Sequence, residues 1–215
     1  KGVEENTTGG AFDDADDEDA TWGGAPLTFP RIQGADVSGE VVALGAGVDG
    51  GLMGKRVLVE TWIRDWDHPM DLDRIGYFGS ECDGGYAEYC TVDARYVHPI
   101  ESTLKDVELA TFATSYITAE NMLNRAAVGA DDVVLIPGAS GGVGGALIQL
   151  AKRRGAKVVA MCSPAKQDAV RACGPDAILD RAPKNLRKAL REAIGQDSVS
   201  VVADVVGGDG WSSLI

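Results

Sequence analysis

The sequence predicts an α/β protein: a doubly wound parallel sheet joined to a smaller antiparallel β domain. Three observations carry this. From residue 133 onward, short apolar runs alternate with amphipathic segments of helical spacing. A glycine-rich turn, Pro137-Gly138-Ala139-Ser140-Gly141-Gly142-Val143-Gly144, joins the first of those runs to the first of those helices. Between residues 30 and 99 the text instead shows short β-branched runs punctuated by glycine. Apolar strands alternating with helices imply a parallel sheet covered on both faces, and closely spaced short strands imply a barrel or sandwich.

In chain order, the acidic run from Asp13 to Asp19 places six acids in seven residues. Like charges at that density repel, so it reads as a solvated loop; it lacks the glycine and closing Glu of an EF-hand. Residues 37–44, 55–60 and 86–92 read as strands, with residues 61–83 between them as a long surface loop or lid. Trp66, Tyr77 and Phe78 in that stretch either cover a substrate or pack within the loop. Residues 108–127 read as one helix. Then follow a strand at 133–136, a helix at 142–154, a strand at 157–161, a helix at 164–173, a strand at 177–179, a helix at 184–194 and a strand at 199–206. The expected domains are residues 1–106, the β domain, and 107–215, the parallel-sheet domain.

The charge balance excludes some functions. With 20 basic and 33 acidic residues the net charge is −13, a field that repels nucleic acid and anionic lipid. No apolar run approaches the ~18 residues of a membrane span. Cys82, Cys90, Cys162 and Cys173 show no CxxC spacing, so no zinc knuckle or redox motif is expected, and reduced thiols point to a cytoplasmic protein. The chain opens on Lys1 without an initiator Met or an apolar signal region and is expected to be a fragment.

The glycine-rich turn follows a strand and opens a helix, the context a dinucleotide-binding loop requires. Read as A-x-G-x-x-G, Ala139 makes the turn, Gly141 lets the backbone approach a pyrophosphate, and Gly144 lets the helix lie close to the sheet. Ser140, Gly142 and Val143 complete the loop, whose helix N-terminus offers free N–H groups to phosphate oxygens. The second strand then selects the cofactor. Sites for NAD usually place an acid about 20 residues on, against the ribose 2′-OH; here stands neutral Cys162. Ser163 and Lys166 follow. Ser163 reads as an N-cap before Pro164, and Lys166 either pairs a 2′-phosphate or stays a solvated lysine. A cation in a helix's first turn opposes the dipole unless an anion joins it, which favours NADPH.

The sequence resembles the medium-chain dehydrogenase/reductase superfamily, in particular its zinc-free quinone-oxidoreductase-like branch. The matching pieces are Gly34-Ala35-Asp36-Val37-Ser38-Gly39-Glu40-Val41, Gly84-Gly85-Tyr86-Ala87-Glu88-Tyr89, the loop Ala139–Gly144, and Ser163 with Lys166. The resemblance implies a GroES-like barrel as the catalytic domain beside a Rossmann domain. It implies hydride transfer from NADPH to a quinone, enone or similar acceptor. The partner is then a small electrophilic molecule, and a homodimer is compatible with it. By the same alignment Ala35 and Thr114 stand where zinc alcohol dehydrogenases carry ligands, so no metal is expected, and His68 and His98 stand alone. Thr118 and Tyr116 line the nicotinamide or pack the helix that bridges the domains. No catalytic residue stands out. The alternatives are a nucleotide-binding relative without catalysis and an alcohol dehydrogenase-like enzyme of the same superfamily.

Overall fold

The computed structural model describes residues 27–69, 71, 74–208 and 210–214, and the chain divides into two compact units, Lys1–Ala110 and Thr111–Ile215. The acidic run from Asp13 to Asp19 lies outside the described residues.

In the first unit, β1 (Ser38–Glu40) and β2 (Arg56–Val59) pair antiparallel, with Gly39 opposite Val57. On β2, Val57 and Val59 are buried while Arg56 and Leu58 are half-buried, the period-two signature of a sheet with one covered face. Between the strands of this sheet run β3 (Trp62–Ile63) and β4 (Gly76–Tyr77), an antiparallel pair. The sheet is completed by β5 (Val97–Pro99), giving the order β1-β2-β5. Arg56 fastens this sheet to α1 (Asp106–Leu109): its guanidinium donates to Asp106 at 2.6 Å and to the Ser102 and Leu104 carbonyls at 3.0 and 2.6 Å.

Three expectations for this unit are corrected. Residues 86–92 form no strand. Gly84, Gly85 and Tyr86 donate their N–H groups to Ile32, Gly34 and Gln33, but no ladder continues, and Tyr86 and Tyr89 stay exposed. Alternation makes a strand only where a neighbour accepts its hydrogen bonds. Residues 61–83 are not one surface loop, because they carry β3 and β4, and Thr61 and Phe78 are buried. Residues 37–44 form a strand only at Ser38–Glu40.

The second unit opens with α2 (Ala113–Arg125), followed by β6 (Val133–Ile136), α3 (Gly142–Arg153), β7 (Lys157–Cys162), α4 (Gln167–Ala172), β8 (Ala177–Asp180), α5 (Leu186–Ile194) and β9 (Val201–Val202). The four strands are all parallel, in the order β8-β7-β6-β9. Successive residues feed two cores. Val134, Ile136, Val158 and Ala160 pack with Leu123, Leu147 and Ile148 on one face, while Leu135, Val159 and Met161 pack with Leu179 and Leu190 on the other. Burial on both faces is why β6 and β7 read as unbroken apolar runs. The helix expected over 108–127 is broken between α1 and α2, where the two units meet in sequence. The strand expected over 199–206 is shortened because the Asp204 carboxylate captures the Val206 and Gly207 N–H groups at 2.8 and 3.2 Å and turns the chain.

Asp176 holds three elements together. Its carboxylate takes the Lys152 ammonium of α3 at 2.8 Å and the Val158 N–H of β7 at 2.7 Å, just before β8. Burial alone raises the Asp176 pKa, but these two donors outweigh it and hold the carboxyl below its usual range. Asp176→Ala leaves the N–H of fully buried Val158 without an acceptor and is expected to destabilise by about 1–3 kcal/mol in urea unfolding. Because the folded pKa is depressed, this stability is fully present above the unfolded value near 4 and is lost as the pH falls through the folded one. The gap between wild type and variant should therefore narrow in acid.

Candidate dinucleotide site

The chain leaves β6 through Pro137 and turns at Gly138, whose φ is +62°, a left-handed conformation that glycine adopts without strain. The Ala139 N–H donates to Met161 on β7 at 3.1 Å, which pins the loop to the C-terminal end of the sheet. Ala139 is buried, whereas Ser140, Gly141 and Gly142 are exposed. Gly141 is the N-cap of α3 and has no side chain with which to cap it, and no acid stands in the first turn. The first helical N–H groups are thus left for an outside acceptor at the positive end of the helix.

Two glycines do different work. A Cβ on Gly144 would lie 2.5 Å from the Gly138 carbonyl oxygen and 2.7 Å from the Ala139 Cα, so only glycine lets α3 pass this close to the loop. A Cβ on Gly141 would meet nothing nearer than the Gly138 oxygen at 3.5 Å. The space before Gly141 is a cradle open to a ligand's pyrophosphate, so the residues present fit a dinucleotide. Val143 is half-buried against the core. Residues 204–206, read in the sequence as the end of a strand, instead turn into Gly207 and Gly208, and Val206 borders Gly138. The cluster Asp204, Gly207, Gly208 is the turn signal that marks it.

At the end of β7, Cys162 is 3% exposed and paired in register with Asp180 on β8. Burial, and then the Asp180 charge, push its thiol pKa up, so it is neutral. Ser163 caps the turn Pro164–Lys166 through its carbonyl alone, which accepts the Lys166 N–H at 3.0 Å; its hydroxyl makes no cap bond. The helix expected over 164–173 is corrected: a 3-10 turn comes first, and the six-residue α4 begins only at Gln167. Lys166 therefore lies ahead of a short helix rather than in the first turn of a long one, and the dipole argument for it weakens. It is exposed and makes no ion pair among the described residues. Thr118 is half-buried in the middle of α2, and Tyr116 stacks on Phe112 at 4.6 Å and packs on the core. For Tyr116 the packing role is the one observed.

Two family models match the chain: the alcohol dehydrogenase GroES-like domain over residues 9–102 and the zinc-binding dehydrogenase domain over residues 142–215, which starts on the first residue of α3. The chain belongs to the medium-chain dehydrogenase/reductase superfamily. Among its superfamily relatives, an NAD-dependent alcohol dehydrogenase of Sulfolobus acidocaldarius is 33% identical, over 58% of this chain and 38% of that one. A quinone oxidoreductase-like protein 2 homolog of Nematostella vectensis is 30% identical, over 84% of this chain and 45% of that one. A solved structure of a provisionally assigned alcohol dehydrogenase from Sinorhizobium meliloti 1021 superposes with a TM-score of 0.80 at 45% identity, over 87% of this chain and 52% of that one. The chain thus spans about half the length of the curated relatives it matches. The mixed α/β fold with a GroES-like domain follows from the same matches.

A zinc-binding medium-chain dehydrogenase needs a tetrahedral donor set, and the described residues do not fit one. They bring no three His, Cys, Asp or Glu side chains together. Ala35 and Thr114 offer no imidazole or thiolate. His68 Nδ1 lies 3.2 Å from Asp65 and 3.0 Å from Arg74, and His98 Nε2 lies 3.5 Å from Glu60. Trp66, expected either to cover a substrate or to pack in its loop, has the Arg64 and Arg95 guanidinium groups 5.4 and 5.0 Å from its ring centre and tilts on Tyr96. No helix among the described residues is long and apolar enough to cross a membrane.

Proposed function

We propose that this chain is the barrel and dinucleotide-binding region of an NADPH-dependent reductase that passes hydride to a quinone, enone or similar electrophilic acceptor. The observation that carries the reading is the open cradle at Gly141, set before the uncapped N-terminus of α3. The names of the relatives, alcohol dehydrogenase and quinone oxidoreductase-like, support the same reaction class. When bound, the nicotinamide ring supplies the hydride. The chain's own residues then do three things. The N–H groups at the start of α3 hold the pyrophosphate, Gly138 and Ala139 fix the loop to β7, and Ser163 with Lys166 meet the adenosine ribose. Residues 1–106 carry the acceptor side and residues 107–215 the cofactor side, in a cytoplasmic protein whose partner is a small molecule rather than nucleic acid or membrane.

The preference for NADPH follows from charge. No acid stands at the end of β7 to repel a 2′-phosphate, and the Lys166 ammonium, which makes no ion pair among the described residues, and the Ser163 hydroxyl attract it. Asp180, in register beside Cys162, opposes it. One charge-assisted hydrogen bond is worth about 1.5–3 kcal/mol, and against Asp180 the low end applies, roughly a tenfold preference. Titrating both cofactors into wild type and Lys166→Ala tests this. The expected result is tighter NADPH binding in wild type, larger at low salt, and near-equal affinities in the variant. Equal affinities in wild type, or the same loss for both cofactors in the variant, overturn the NADPH preference. Loss of nicotinamide absorbance on adding a panel of quinones and enones tests the acceptor class.

A further inference from the structure

The helix α2 starts beside α3 and runs alongside it. Ser115, in the first turn of α2, sets its Oγ 2.6 Å from where a Cβ of Gly142 would stand. Towards the other end, Arg154 just past α3 bonds Glu120 and Asn124 of α2 at 2.6 and 2.9 Å. Contacts in the same order along both chains mean that the two helices point the same way. Their positive ends therefore meet at one place. Neither N-cap residue, Phe112 or Gly141, caps its helix with its own side chain, and neither first turn holds an acid.

Ser115 is half-buried, and its hydroxyl has no hydrogen-bond partner among the described residues. A hydroxyl is a donor that can rotate toward an acceptor, and a phosphate oxygen at the N-terminus of α3 is such an acceptor. We propose that Ser115 is a phosphate-positioning residue: its hydroxyl donates to the pyrophosphate held at the start of α3, so that α2 forms a second wall of the cofactor site. This rests on the reading of the Gly141 loop as a dinucleotide site. Gly142 fits the same account, because any side chain there would collide with the Ser115 oxygen and push it from the phosphate.

Binding of NADPH, NADH and ADP-ribose to the purified chain, by calorimetry alongside thermal unfolding, tests the assignment. All three ligands carry the pyrophosphate, so Ser115→Ala should weaken all three by the same factor, about tenfold, with Tm unchanged. This pattern separates it from Lys166→Ala, which acts on NADPH alone. Ser115→Asp adds an acid at a helix start, which favours the free helix but repels the phosphate. It should not lower Tm and should weaken binding by about a hundredfold or more. Wild-type affinity in Ser115→Ala, or binding within threefold of wild type in Ser115→Asp, overturns the proposal. If wild type binds none of the three ligands, or Gly141→Val binds as wild type does, the reading of the loop itself fails. If Gly141→Val loses binding and Ser115→Ala does not, only the role of Ser115 falls.

Discussion

Gly141→Val should abolish dinucleotide binding and leave the fold intact. The backbone at Gly141 has φ −83° and ψ 170°, an extended conformation that any residue adopts. Its Cβ would find the nearest protein atom, the Gly138 oxygen, at an ordinary 3.5 Å, so valine need not disturb the loop. What the isopropyl group fills is the space in front of the free N–H groups of α3. A pyrophosphate displaced from there forfeits several charge-assisted hydrogen bonds at once, each worth about 1.5–3 kcal/mol. The expected loss exceeds about a hundredfold for NADPH and NADH alike, with an unchanged circular-dichroism melt. Binding as in wild type would move the site elsewhere in the chain.

The parallel-sheet half was legible in the sequence because its physics is local and repetitive. The run at residues 133–136 and, after Lys157, the run at 158–161 are apolar on both faces, the helix between them opens on a glycine loop, and both strands form where the pattern places them, the second one residue longer. The β half was less legible. Residues 86–92 alternate like a strand, yet a strand depends on a partner that sequence spacing does not reveal. The break between α1 and α2 carries no proline or glycine to announce it. In the site, the loop glycines have a spacing that can be read, whereas Ser115 has none. It reaches the loop only because α2 and α3 pack side by side, 27 positions from Gly142 in sequence but next to it in space. The pairing of Cys162 with Asp180 is likewise a matter of register between β7 and β8.

Gly144→Ala should destabilise the protein, whereas Gly145→Ala, one residue on, should not. Both residues lie inside α3, where replacing glycine by alanine favours the helix by about 0.8–1 kcal/mol. At Gly145 the new methyl meets only the Cys173 Sγ at 3.7 Å, an ordinary contact, so the propensity gain stands. At Gly144 the methyl would lie 2.5 Å from the Gly138 oxygen and 2.7–2.9 Å from Ala139 Cα and carbonyl carbon. Those are backbone atoms, held by the Ala139 bond to Met161 on β7, so they have no rotamer through which to yield. Either α3 lifts from the sheet, uncovering Leu147 and Ile148, which are fully buried, or the loop leaves β7. Overpacking of this kind costs about 3 kcal/mol, more than the propensity gain offsets. The expected outcome is a Tm lowered by about 4–8 °C in Gly144→Ala, for a net cost of about 2 kcal/mol, and equal or raised in Gly145→Ala. A stable Gly144→Ala variant would show that the close approach of helix and loop is not what requires glycine there. With the loop displaced, dinucleotide affinity should fall in Gly144→Ala together with stability, in contrast to Gly141→Val, where affinity alone is lost.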